Sequence, residues 1–362
     1  MKGQQYQSKL ASSPALNYIS KLKPRSNEES SKQSYKTSLE LRASKMETIQ
    51  HKFVQVEGGL KLHVADIGSG DKVVLFLHGF PEIWYSWRHQ MLALSSSGHR
   101  AIAVDYRGFG LSDHPPKVED ANYVNIVADL VAILDSLAIP KVVLIGKDWG
   151  AFVASWFGVL HPDRVSGIVT LGIPLAIPGS FLAGFTVPEG VYTSRWGEPG
   201  RAEADFGRLD AKMVIRNVYI LFSGSDMPTA AENQEIMDLV DPSTPLPPWF
   251  SEKDLSAYGA LYQKSGFQFA LQIPYRSFQL KLDMPKTEQK LNMPALLIMG
   301  AKDYCLKFPG IEDYILNDAS MKEFVPDLET VFMDEGNDFV QEQLPEQVNG
   351  LILGFLEARI SP

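Results

Sequence analysis

Two glycines around one aspartate constrain this chain more than any other stretch. Val142 to Ile145 is an apolar run that leads into Gly146-Lys147-Asp148-Trp149-Gly150, and an apolar helical pattern begins at Ala151. A strand that turns this sharply into a helix lifts one side chain above its sheet, and flanking glycines permit the close backbone approach and strained angles of a nucleophile elbow. The lifted residue is Asp148. A carboxylate at that point attacks carbon directly and forms an ester, with no base needed to remove a proton first.

The surrounding pattern supplies the sheet that such an elbow needs. Lys52 to Val56 and Lys61 to Ile67 flank Gly58-Gly59 and predict an antiparallel hairpin. Val73 to Leu77 is unbroken apolar sequence, as in a strand buried on both faces. It ends in His78-Gly79-Phe80-Pro81, a loop expected to expose amides. A helix is predicted over Trp84 to Ser97, a strand over Ala101 to Val104, and a helix from Asn122 to Leu137. In the last of these, Val127, Leu130, Val131, Leu134 and Leu137 form one stripe. Alternation of this kind predicts an α/β fold with a mostly parallel sheet and helices on both faces, with ligands beyond the carboxyl ends of the strands.

After strand Ser166 to Leu171 the rhythm breaks. Residues 174–290 are rich in Pro, Gly, Trp and Tyr and predict an inserted, mostly helical lid, with helical patches at Ala230 to Leu239 and Glu252 to Lys264. The core, begun over 46–173, resumes over 291–362 with strands Ala295 to Gly300 and Leu328 to Met333 and a helix from Pro345. Two strand-end loops there hold carboxylates, Gly300-Ala301-Lys302-Asp303 and Asp334-Glu335-Gly336-Asn337-Asp338-Phe339. The chain order nucleophile, acid, base is that of the α/β-hydrolase fold, whose base is histidine. The base position here holds Asp338.

Charge narrows the range of partners. Residues 1–45 carry nine Lys and Arg against three Glu, whereas the rest carries a net −15. An acidic body argues against nucleic acid and against an anionic membrane surface. No apolar run reaches the roughly 18 residues of a membrane span. One cysteine, Cys305, makes no internal disulfide and fits an intracellular compartment, with a packing role for the thiol. The basic, Ser-rich stretch 1–45 reads as an organelle (plastid or mitochondrial) transit peptide, as a disordered tail, or as sequence ahead of an alternative start at Met46. The expected location is accordingly the cytoplasm or an organelle.

From Glu47 to Ile360 the chain resembles the plant soluble epoxide hydrolases of the α/β-hydrolase superfamily. The motifs are His78 to Pro81, Gly146 to Gly150, Tyr192 ahead of Ser194-Arg195-Trp196, Tyr275-Arg276, Gly300 to Asp303 and Gly336 to Phe339. The resemblance implies that Asp148 attacks an epoxide carbon while the hydroxyls of Tyr192 and Tyr275, on the lid, hydrogen-bond the ring oxygen. The amides of Phe80 and Trp149 would hold the oxyanion as water hydrolyses the ester, and Asp303 would orient the base. A small apolar epoxide is the implied substrate, and no metal or organic cofactor is called for; oligomeric state is left open. Phe80 stands where haloalkane dehalogenases tend to have Asn, and Trp149 where defluorinating relatives tend to have Arg.

Two positions depart from that pattern. Lys147 replaces a histidine just before the nucleophile; its side chain is expected to point away from the substrate, as a packing change, while its charge lowers the Asp148 pKa. Asp338 replaces the base. The seven histidines are His51, His63, His78, His89, His99, His114 and His161, so none follows the lid. Alkylation of Asp148 is then expected to survive while ester hydrolysis is impaired, unless Asp303 and Asp338 share a proton and serve as a poor base. The alternative expectation is a non-catalytic protein that binds an apolar ligand on the same fold.

Overall fold

Strands β1 (Gln50–Gln55) and β2 (Lys61–Ile67) pair antiparallel across a short turn in which Gly58 takes φ +76°. They form one edge of an eight-stranded sheet in a computed structural model that describes residues 46–175, 187–277 and 290–360. The basic stretch 1–45 lies outside the described residues, as do 176–186 and 278–289 within the predicted lid.

The remaining strands are β3 (Val73–Leu77), β4 (Arg100–Val104), β5 (Val142–Lys147), β6 (Val165–Leu171), β7 (Ala295–Gly300) and β8 (Leu328–Met333). Their order is β1-β2-β4-β3-β5-β6-β7-β8, parallel from β4 onward. Side-chain alternation sorts each strand between two apolar layers: Leu75 and Leu144 face one, Phe76 and Ile145 the other. This period of two is why runs such as Val73 to Leu77 can be apolar throughout.

Helices α1 (Arg88–Ser96), α2 (Tyr123–Ser136) and α3 (Trp149–Leu160) connect the first strands. Asn122 caps α2, accepting a hydrogen bond from Asn125 N at 3.0 Å. The predicted helix from Trp84 divides in two, a 3₁₀ turn at Trp84–Trp87 and then α1. Trp84 N donates to the buried Asp105 carboxylate at 2.9 Å, which holds the first turn to the β4 end and favours the tighter winding.

Between β6 and β7 run α4 (Tyr192–Gly197), α5 (Arg201–Phe206), α6 (Ala211–Phe222), α7 (Glu252–Ser265) and α8 (Gln268–Tyr275). The expected helical patch at Ala230 to Leu239 is reduced to a 3₁₀ turn, Ile236–Leu239. Val191 and Thr229 form an isolated β-bridge and Ala230 N bonds Gly190 O, so the backbone there pairs with another segment. Helices α9 (Ile311–Leu316), α10 (Asp318–Lys322), α11 (Val340–Gln343) and α12 (Pro345–Arg359) complete the chain. Among the described residues no helix is long and apolar enough to cross a membrane.

Candidate active site

Asp148 sits between β5 and α3 with φ +51° and ψ −125°, a conformation non-glycine residues avoid. The neighbours fix it there. Asp148 N donates to Leu171 O at 3.0 Å, and Ala151 N to Asp148 O at 2.9 Å. A Cβ on Gly150 would lie 2.1 Å from Leu77 O, and one on Gly79 would lie 2.6 Å from Asp148 Oδ1. Both glycines are therefore required by close approach.

The loop after β3 reaches the same point. Phe80 N donates to Asp148 Oδ1 at 3.1 Å, and the Trp149 amide also bonds this carboxylate. The loop expected to expose its amides is buried, with the Phe80 amide aimed at Asp148. Burial pushes the Asp148 pKa up to about 7; Lys147 opposes the rise, Asp338 adds to it, and the two amides oppose it. Lys147 thus acts in the expected direction, but desolvation outweighs it.

The largest departure from expectation is Lys147 itself. Its side chain is 1% exposed, and Nζ donates to Asp338 Oδ1 at 2.9 Å. The packing change expected at Lys147 is an ion pair instead. Nζ also lies 5.6 Å from the centroid of the Phe339 ring. Burial alone would lower the Lys147 pKa, but Asp338, Glu82, Asp148 and Asp303 together raise it, so the ammonium stays charged.

Asp303 follows β7 and is also buried. Its Oδ1 accepts from Cys305 N at 2.8 Å, while Oδ2 has no hydrogen-bond partner among the described residues. Burial first, and Asp338 second, push its pKa up to about 8. A Cβ placed on Gly172 would lie 3.4 Å from Asp303 Oδ2, 3.6 Å from Lys147 Nζ and 3.7 Å from Asp338 Oδ1. Three atoms of titratable side chains therefore converge beside one glycine. Asp303, Cys305 and Asp338 each bring a ligand atom within 4.8 Å of the others, and the positive charge among them is the Lys147 ammonium.

The insertion brings two tyrosines over Asp148. Tyr192 opens α4, with its N donating to Pro228 O at 3.1 Å. Tyr275 closes α8 just after Pro274, and Arg276 beside it bonds Glu203 at 2.6 Å. The Tyr275 ring lies 5.6 Å from both Phe80 and Trp149, and 6.1 Å from Tyr192. Trp196 and Phe222 extend this aromatic wall around Tyr192, at 5.2 and 4.7 Å. Burial raises both phenol pKa values well above the ordinary range, and a Trp149 side-chain hydrogen bond opposes the rise at Tyr275.

Three features escaped sequence reasoning. Glu82, fully buried, accepts from Gly79 N at 2.9 Å and pairs with the Gln341 amide; burial pushes its pKa up to about 8, against Lys147. Its only signal was a carboxylate directly after Pro81. Tyr304 bonds Tyr192 hydroxyl to hydroxyl at 2.8 Å. Arg88 and Glu342 form a buried ion pair that also receives Tyr219 and Tyr258 of the insertion, at 2.8 and 3.0 Å. A 1410 Å³ cleft lined by Lys72, Arg100 and Lys141 opens at the amino ends of the strands, and none of the sequence-predicted site residues lines it.

The comparisons with known proteins agree with this fold. Residues 72–335 match the alpha/beta hydrolase fold family. Epoxide hydrolase 3 of Siraitia grosvenorii is 38% identical over 321 residues, which cover 86% of this chain and 99% of that protein. Epoxide hydrolase A of Mycobacterium tuberculosis is 30% identical over 316 residues, 82% of this chain and 94% of that one. A solved structure of a Vigna radiata epoxide hydrolase mutant aligns with a TM-score of 0.77 at 34% identity, covering 86% of this chain and 99% of the other. A laboratory-evolved variant of potato epoxide hydrolase aligns with a TM-score of 0.74 at 30% identity, covering 85% and 99%.

Proposed function

The chain belongs to the alpha/beta hydrolase fold family, and on that premise we propose that it opens small apolar epoxides through an alkyl ester on Asp148 and hydrolyses that ester slowly to the vicinal diol. In the first step a carboxylate oxygen of Asp148 bonds to one ring carbon and the carbon–oxygen bond of the ring breaks. The departing oxygen takes a proton from the hydroxyl of Tyr192 or Tyr275, and solvent returns it. The aromatic wall of Phe80, Trp149, Trp196 and Tyr275 suits an apolar substituent on the epoxide.

In the second step water adds to the ester carbonyl. The Phe80 and Trp149 amides, which bond the Asp148 carboxylate, would hold the oxyanion, and those bonds support the reading. Water must lose a proton as it attacks, and a positioned base is commonly worth about 10²–10⁴ in rate. The observation that carries the reading of a slow second step is the Lys147–Asp338 ion pair. Asp338 Oδ1 already accepts from Lys147 Nζ at 2.9 Å, so the oxygen that would take the water proton is engaged by a cation. The two departures at Lys147 and Asp338 are partners, so Asp338 is not an isolated change. The same ammonium opposes the rise of the Asp303 pKa, which works against Asp303 holding a proton for this step.

A second reading, a non-catalytic protein that binds an apolar ligand, draws on the same ion pair. The test is the intact mass of the protein after reaction with an aryl epoxide. An adduct of one substrate mass that decays to diol over many minutes supports slow turnover, with Asp148→Asn abolishing the adduct. Neither adduct nor diol, with the ligand still bound, would instead favour the binding protein.

A further inference from the structure

The two lid tyrosines differ in what stands behind them. Tyr275 takes a hydrogen bond from the side chain of Trp149, whose indole can only donate. Tyr192 has another phenol as its partner: its hydroxyl lies 2.8 Å from that of Tyr304, with the rings 5.7 Å apart and nearly perpendicular. Tyr304 is 3% exposed and begins the short helical turn directly after Asp303, so the acid loop and the lid meet at this contact.

Counting protons sets the direction of that bond. The hydrogen bond to Tyr192 is the only one the Tyr304 hydroxyl makes among the described residues. The nearby Cys305 thiol is a weak acceptor. If Tyr192 donated to Tyr304, the Tyr304 proton would be buried with nowhere to go, which is costly. If Tyr304 donates, both groups are used, and the Tyr192 proton remains for a ring oxygen.

We propose that Tyr304 is a positioning residue for epoxide opening: its hydroxyl donates to the Tyr192 oxygen, aims the Tyr192 proton at the ring oxygen and makes Tyr192 the stronger acid. The inference rests on the proposed function and adds to it a residue outside the pair of lid tyrosines, directly after Asp303. A phenol that accepts a hydrogen bond carries developing negative charge more easily, and chained hydrogen bonds polarise one another. The hydrogen bond from Tyr304 accordingly opposes the rise that burial imposes on the Tyr192 pKa. As the carbon–oxygen bond breaks, the proton passes from Tyr192 to the alkoxide while Tyr304 holds the phenolate. Nothing is oxidised or reduced.

The test is the rate of adduct formation with an aryl epoxide, followed by intact mass, in wild type, Tyr304→Phe, Tyr192→Phe and the double variant. Tyr304→Phe should slow adduct formation about 3- to 10-fold, the range for one neutral hydrogen bond. In the Tyr192→Phe background the same change should have less than about a 2-fold effect, because the partner is gone. Fluorotyrosine at position 304, a stronger donor of nearly the same shape, should speed the reaction, and this measurement stands even if Tyr304→Phe folds poorly. Equal slowing in both backgrounds, a faster Tyr304→Phe or a slower fluorotyrosine protein would overturn the inference and leave the proposed function standing. A wild type that forms neither adduct nor diol would overturn both.

Discussion

Replacing Asp338 by histidine alone should not restore fast turnover, whereas replacing Lys147 and Asp338 together by histidine should. The reason is the ion pair in which Lys147, 1% exposed, donates to Asp338 at 2.9 Å. Asp338→His takes away the carboxylate and leaves a buried ammonium against the new ring, which favours the uncharged imidazole but also holds its lone pair. Removing one partner of a buried pair costs about 3–5 kcal/mol. Asp303, whose pKa stands at about 8, can release its proton and become the counter-ion, which moves the expected loss to the lower end, roughly 3 kcal/mol. For a chain of this size that is a fall in Tm of roughly 4–5 °C. The double variant exchanges one neutral pair for another and returns a base whose proton affinity suits neutral pH. Diol formation from an aryl epoxide should then rise by about 10²–10⁴ over wild type. The assays are chromatographic diol yield, adduct lifetime by intact mass and thermal unfolding. A single Asp338→His protein that matches the double variant in diol rate with an unchanged Tm would refute the coupling.

Other outcomes follow from the same charges. Alkylation requires ionised Asp148, so adduct formation should rise with pH through about 7 and level off above it; Lys147→Met, which removes an opposing charge, should move that midpoint upward. Asp148, Asp303 and Glu82 all have folded-state pKa values raised above their unfolded ones, to about 7, 8 and 8, so folding takes up protons. Their stabilising contribution is complete below the ordinary carboxylate range and is lost as pH rises to about 8, so Tm should be higher near pH 5.5 than near pH 8.5, and Asp303→Asn should flatten the slope. Glu342→Gln leaves Asp254 as the carboxylate paired with Arg88 and weakens two tyrosine hydrogen bonds from the insertion, so calorimetry should register a loss of about 1–3 kcal/mol.

The chain's own order of residues determined most of the architecture. Unbroken apolar runs such as Val73 to Leu77, the stripe from Val127 to Leu134 and the glycines around Asp148 are local signals, and local physics reads them correctly. The elbow's place was legible for the same reason, since strand, turn and helix are contiguous. The Lys147–Asp338 pair spans 191 positions and the Arg88–Glu342 pair 254, distances over which no periodicity links one residue to another. Lys147 read alone is a packing change and Asp338 read alone is a missing base. Only the parallel sheet, by laying the end of β5 beside the loop after β8, turns the two into one neutral unit, and burial then makes their charges matter.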